Sequence, residues 1–312
     1  MTKLIRFAGW LSCATAMLAS PLLQAAQPSM RAEVLDTLIF EEMLVDNLKI
    51  VELSGLTYDK QSKQLFAVSD KGRLFHFSID VTGDKIVSLQ AESGYKLVDD
   101  NQQSMRKKHD FNAEGIELGK DGTLAIVSEV GPRISRFSLA GEWIEDLETP
   151  VELLDTAAQR SEKDGLESLT WHPTLGWLTA PEKPLAAMKR SIHTIYATKG
   201  HNISYSTSDI GSTNIKAMAS LPEGQLMILE REVAADGSLV TWLRRLDPAD
   251  CVAGELCATQ VAPIVVPGIN DADYEGIADL SDGLFLIVSD DKINKVHRSV
   301  FVLLRVALNP AE

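Results

Sequence analysis

The chain has 312 residues, with 44 acidic side chains against 30 Lys and Arg, a formal net charge of −14, and 45% hydrophobic residues. A surface this acidic repels phosphodiester backbones and anionic headgroups, which excludes nucleic acid and anionic membranes as partners, whereas multivalent cations are attracted. The apolar content can build one large core or two small ones, and no break in composition divides the chain.

Residues 1–26, MTKLIRFAGWLSCATAMLASPLLQAA, carry Lys3 and Arg6, an apolar run from Phe7 to Leu23, then Gln24-Ala25-Ala26, with no acid. This is the pattern of a secretory signal peptide cleaved after Ala25 or Ala26. An uncleaved anchor is the alternative, but Ser12, Thr15, Ser20 and Pro21 interrupt a run already short for a bilayer span. No later segment approaches the ~20 apolar residues of a spanning helix. The expectation is therefore a periplasmic or secreted domain over residues 27–312, with no stable membrane insertion.

Beyond the signal, the chain repeats. LSGLTYDKQSKQLFAVSD starts at Leu53, FNAEGIELGKDGTLAIVSE at Phe111, DGLESLTWHPTLGWLTAPE at Asp164, NIKAMASLPEGQLMILERE at Asn214 and DADYEGIADLSDGLFLIVSD at Asp271. Each has an apolar strand, a turn, a second strand rich in Leu, Ile and Val, and then a third, such as GRLFHFSI or RISRFSL. Markers at Gly55, Gly115, Glu167, Lys216 and Gly276 lie 60, 52, 49 and 60 residues apart, a period that indicates a β-propeller. The fold class is all-β. A blade of about 45 to 50 residues predicts six blades, the missing one falling between Ile79 and Asn112 or between Leu139 and Asp164. EVLDTLIF, near the N-terminus, is expected to close the ring with the C-terminal blade.

KLVDDNQQSMRKKHD, from Lys96 to Asp110, is polar and unpatterned and reads as a loop. A second loop follows Pro248 and holds Cys251 and Cys257, an even pair that in an exported chain favours a short-loop disulfide over two free thiols.

If Asp282-Gly283 is a two-residue hairpin turn, Glu275 faces Asp290. The same register sets Glu114 opposite Glu129 and Glu167 opposite Glu182, while Lys216 faces Arg231 between Glu230 and Glu232. Opposed like charges destabilise a sheet by several tenths of a kcal/mol, roughly, each. In a propeller these strand ends meet at one channel mouth, joined by Asp70 from the first copy. The predicted metal ligands are Glu114, Glu129, Glu167, Glu182, Glu275 and Asp290, holding calcium, a hard cation that takes six to eight oxygens. Alternatively the acids are solvated, or matched by the basic residues that follow them, including Lys71, Arg133, Lys183, Arg231 and Lys292. No GxSxG, HExxH, phosphate-binding glycine loop or GxGxxG is present. Among the histidines only His109, beside Arg106, Lys107 and Lys108, is a candidate for catalysis.

ELSGLTYD with FAVSD, AEGIELGKDG with SEVGPRISRF, LESLTWHP with APEKPL, MILERE, and YEGIADLSDG with LIVSDDKINKVHRSVFVLLRV together resemble the bacterial phytase-like family, "esterase-like activity of phytase", from about Leu53 to Leu308. Pro181 before Glu182 and Lys292 in SDDKIN depart from its pattern. The resemblance implies an exported propeller, calcium-dependent, hydrolysing phosphate or carboxylic esters. From the acid pattern and the basic residues beside it, Glu114, Glu275 and His109 are the expected catalytic residues, and Arg133, Lys183 and Arg231 the expected binders of a small anionic ester or phosphate. The alternatives are a non-catalytic propeller that binds a protein or small ligand through the same face, and a lactonase-like propeller with one catalytic metal.

Overall fold

The second strands of the repeats are apolar at almost every position, which suits strands covered on both faces rather than half-solvated ones. The computed structural model, which describes residues 29–41, 43–105, 111–161, 163–290 and 298–309, stacks them between neighbouring sheets. All five residues of LAIVS, Leu124–Ser128, are buried. In contrast the peripheral strand Lys85–Lys96 is mostly half-buried or exposed.

The strands group into five sheets arranged as blades. After β1 (Ser29–Glu41) and a small hairpin of β2 (Leu44–Val45) and β3 (Leu48–Lys49), blade 1 contains β4 (Leu53–Asp59), β5 (Gln64–Ser69), β6 (Arg73–Thr82) and β7 (Lys85–Lys96). Blade 2 contains β8 (Ala113–Leu118), β9 (Leu124–Ser128), β10 (Arg133–Phe137) and β11 (Trp143–Leu147). Blade 3 contains β12 (Leu166–His172), β13 (Gly176–Pro181), β14 (Ile192–Ala197) and β15 (Ile203–Ser206), and blade 4 begins with β16 (Thr213–Ser220), β17 (Leu226–Val233) and β18 (Leu239–Leu246). The short β19 (Leu256–Cys257) crosses to pair in parallel with β15, and β20 (Gln260–Ile264) completes blade 4. Blade 5 contains β21 (Asp273–Ser281), β22 (Leu284–Asp290) and β23 (Arg298–Asn309), closed by β1, which pairs with β23 from Ser29↔Asn309 to Glu41↔Arg298. The N-terminal strand thus closes the ring as the sequence predicts. The first strands touch in the cyclic order β4, β8, β12, β16, β21 and back to β4.

Five blades replace the expected six. The two stretches set aside for a further blade are consumed by β7, β11 and their connections, because strands of 10 and 12 residues in β6 and β7 stretch the repeat beyond ordinary blade length. The core is partitioned between blades: Phe75, Phe77, Val288 and Phe301 pack in one cluster, Phe66, Val68, Ile126 and Phe137 in the next.

Every first strand carries a register shift near its start, between Leu53 and Gly55, Ala113 and Ile116, Leu166 and Ser168, Ile215 and Ala217, and Tyr274 and Gly276. These are β-bulges, which re-aim a side chain by adding a residue to one strand. They correct the simple pairing. Although Asp282-Gly283 is the two-residue turn expected, with φ of 54° and 74°, Asp290 faces Asp273, and Glu275 is the bulged residue. Likewise Arg231 faces Asn214 rather than Lys216, and Glu129 bonds through its N–H to Asn112 rather than facing Glu114.

Just past the bulges the first strands approach too closely for side chains. A Cβ on Gly55 would lie 2.3 Å from the Glu114 carbonyl oxygen, and one on Gly115 2.5 Å from the Leu169 nitrogen. Only about 10 Å³ of space remains there, so the channel is two mouths separated by a constriction. Gly115→Val is expected to destabilise the fold by about 1–3 kcal/mol through overpacking, read as a fall in urea midpoint; an unchanged midpoint would mean that the strands part freely.

Cys251 and Cys257 form the expected short-loop disulfide. It closes the loop that carries β19 to the edge of blade 3. Cys251→Ser is expected to cost about 2 kcal/mol by freeing a short loop in the unfolded chain, measurable as a lower melting temperature than the parent under the same non-reducing conditions.

Candidate functional site

The five bulges place Ser54, Glu114, Glu167, Lys216 and Glu275 around the start of the channel. A second tier comes from the far ends of the second strands: Asp70, Glu129, Glu182, Arg231 and Asp290. All but Ser54 line a cavity of about 950 Å³ at this mouth, where eight carboxylates, Asp164 among them, share the wall with Lys163, Lys183, Lys216 and Arg231. The mouth is not uniform. Lys216 and Arg231 neutralise one part of it, while in another three carboxylates converge, and Glu275 belongs to both.

On the neutralised side, the buried Lys216 ammonium contacts the Glu167 carboxylate directly and lies 3.1 Å from Glu275 and 3.5 Å from Glu182. Burial alone would depress its pKa, but Glu167, Glu275 and Glu182 overcome that and hold it well above the usual lysine value. Arg231 reaches Glu182 at 2.7 Å and pairs with Asp273. Asn214 donates to Glu182 at 2.8 Å, and Lys183 pairs with Asp164. Burial would raise Glu182, yet Lys216 and Arg231 bring it below its ordinary value. Glu167 goes the other way: its burial outweighs the ammonium it must share.

On the other side, oxygens of Asp70, Glu114 and Glu275 lie within 4.8 Å of one another. Ser54 donates to Asp70, and Asn112 donates to Glu114 at 2.6 Å and to Glu129 at 2.5 Å. Burial first, then repulsion from Glu167 and Glu275, pushes the Glu114 pKa well above the carboxylate range. The Asn112 side-chain oxygen is buried and accepts no hydrogen bond, a condition that costs about 1–3 kcal/mol for a neutral group. Three converging carboxylates with an unused amide oxygen beside them are the donor set a hard cation takes. The residues present fit calcium.

The sequence-predicted residues divide accordingly. All six predicted metal ligands, together with Lys183 and Arg231, line the one cavity. Of the six, Glu114 and Glu275 converge, together with Asp70, while Glu167 and Glu182 are bound to Lys216 and Arg231. Arg133 is not among the lining residues; its guanidinium bonds the carbonyls of Val130 and Gly131 and covers the Phe111 ring. Glu230 turns away between blades, where it accepts from Tyr205 and the fully buried Arg244, and Glu232 accepts from the Trp242 indole. His109, and Lys292 with it, falls outside the described residues. Asn112 escaped the sequence reading, although it stands two residues before the bulge of its repeat, as do Glu52, Asn214 and Asp273.

Fold and site together define a five-bladed β-propeller with a carboxylate-rich channel mouth. The family profile described as phytase-like, "Esterase-like activity of phytase", matches residues 49–292, and the chain belongs to that family. No curated protein matches it. Among solved structures, the chain is similar to the PQQ-bound aldose sugar dehydrogenase of Streptomyces coelicolor, at 12% identity and a TM-score of 0.49 over 91% of this chain and 100% of that one. It is also similar to a streptogramin B lyase, at 9% identity and a TM-score of 0.39 over 92% and 100% of the two chains. Virginiamycin B lyase from Staphylococcus aureus follows at 10% and 0.41, over 86% and 99%. Likenesses this remote carry nothing about chemistry. No helix among the described residues is long and apolar enough to cross a membrane.

Proposed function

We propose that the protein is an exported hydrolase of phosphate or carboxylic esters that works with a single calcium ion at the acidic mouth. The convergence of Asp70, Glu114 and Glu275 beside the unsatisfied Asn112 oxygen carries this conclusion. Family membership and the disulfide support it, as does the N-terminal signal pattern. Asp70, Glu114, Glu275 and Asn112 would hold the ion, which supplies Lewis acidity toward an ester oxygen. Lys216 neutralises the acids opposite and orients Glu275, to which it is bonded. Arg231 and Lys183 line the same cavity and give an anionic ester its positive contacts.

The second reading, a binding propeller without turnover, has one specific observation in its favour: Glu167 and Glu182 are already satisfied by internal cations. Hydrolysis of p-nitrophenyl phosphate and p-nitrophenyl acetate separates the two. Calcium-dependent turnover is expected in the parent, falling at least about a hundredfold in Glu114→Gln and Glu275→Gln if ion binding supplies several kcal/mol. A parent that binds calcium but hydrolyses neither ester would favour the binder.

A further inference from the structure

The opposite end of the channel has its own architecture, cut off from the acidic mouth by the constriction at Gly55 and Gly115. Two clefts of about 300 and 510 Å³ lie side by side there, and Glu117, Lys120 and Trp171 line both. Trp171 meets Trp177 edge to face at 4.9 Å, which fixes the orientation of the shared indole. Ser220 and Tyr58 line the smaller cleft, and Trp177 the larger.

The formal charges in the smaller cleft balance, with Lys60 and Lys120 set against Glu117 and Asp279. Lys60 pairs with Asp279 at 2.6 Å. Glu117 accepts one long hydrogen bond, 3.4 Å, from Thr170, which leaves its carboxyl group with capacity for a ligand hydroxyl. An anion would meet Asp279 and Glu117 and a cation would meet Lys60 and Lys120, so neither sign of charge is favoured. A neutral ligand that both donates and accepts matches the mixture of carboxyl, hydroxyl and ammonium groups, and an indole wall suits a ring with an apolar face. Polyhydroxylated rings combine these properties.

We propose that this far mouth is a second binding site, for a neutral saccharide, with sugar rings placed in the adjoining clefts on either side of Trp171. This site is independent of the calcium-binding mouth.

The test is ligand-observed NMR on the full chain with methyl glucoside, methyl mannoside, N-acetylglucosamine and maltose, each with calcium and with chelator. Saturable binding of at least one sugar is expected in both conditions. Trp171→Ala should weaken it at least about tenfold, the loss of one good aromatic contact. Ser220→Phe, which fills the smaller cleft and keeps the indole, should do the same while leaving the calcium response of the melting temperature unchanged. If Trp171→Ala does not fold, Ser220→Phe decides. No saturable binding by any of the four sugars, or binding that survives the substitutions, overturns the proposal.

Discussion

Lys216→Met is expected to destabilise the calcium-free protein by about 3–5 kcal/mol, the usual cost of removing one partner from a buried ion pair. The substitution keeps most of the side-chain volume and deletes only the charge, so the loss reports electrostatics rather than a cavity. Glu167, Glu275 and Glu182 would then face one another without the ammonium that Glu167 contacts and that lies 3.1 Å and 3.5 Å from the other two. Urea unfolding in chelator measures the effect. Because Glu167, Glu182 and Glu275 would then resemble the adjoining group of Asp70, Glu114 and Glu275, added calcium should recover much of the lost stability and bind in a second position. Unfolding of the variant at the parent's urea midpoint would show that the ammonium is not what holds these acids together.

Calcium affinity is expected to rise with pH, and binding to release protons, with both effects reduced in Glu114→Gln. Ligand carboxylates must be ionised to bind, and burial together with Glu167 and Glu275 holds Glu114 well above the ordinary glutamate value of 4.5. A carboxyl whose folded pKa is raised favours the fold below its unfolded pKa and opposes it increasingly as pH climbs toward the folded value. Glu167 is raised in the same sense. The calcium-free protein should therefore lose stability as pH rises above 4.5 toward the raised values, and calcium should reverse that loss. Melting temperatures across this range, with and without chelator, check the sign. A calcium-free protein that grows steadily more stable over the same interval would contradict it.

The repeats, the closing strand and the crowding of acids at one mouth are legible in the sequence because each rests on local pattern. Apolar second strands and turn residues recur at a fixed distance, and EVLDTLIF has no other partner. The blade number was not legible, since a period of 49 to 60 residues does not reveal how much of it is spent on a long outer strand such as Lys85–Lys96. The bulges were hidden for a related reason: one extra residue in a first strand leaves the hydrophobic pattern intact while shifting every partner beyond it. Opposed pairs such as Glu275 with Asp290 therefore became two stacked tiers. The division of the mouth turned on one substitution in the repeat. Lys216 stands where Glu114, Glu167 and Glu275 stand in their own copies, and its effect on Glu167 and Glu275 requires the closed ring, which no local pattern encodes. Arg133 follows its acid closely in sequence but bonds the Val130 and Gly131 carbonyls and covers Phe111, from a strand that lies two positions from the channel.

Calorimetric titration of the chelator-treated protein with calcium bears most directly on the convergence of Asp70, Glu114 and Glu275 as an ion site. One ion per chain is expected, with affinity weakened at least about tenfold in Glu114→Gln and in Glu275→Gln, the loss of one carboxylate ligand, and a melting temperature that rises with the ion. Absence of heat and of any melting shift, or binding indifferent to both substitutions, would contradict it.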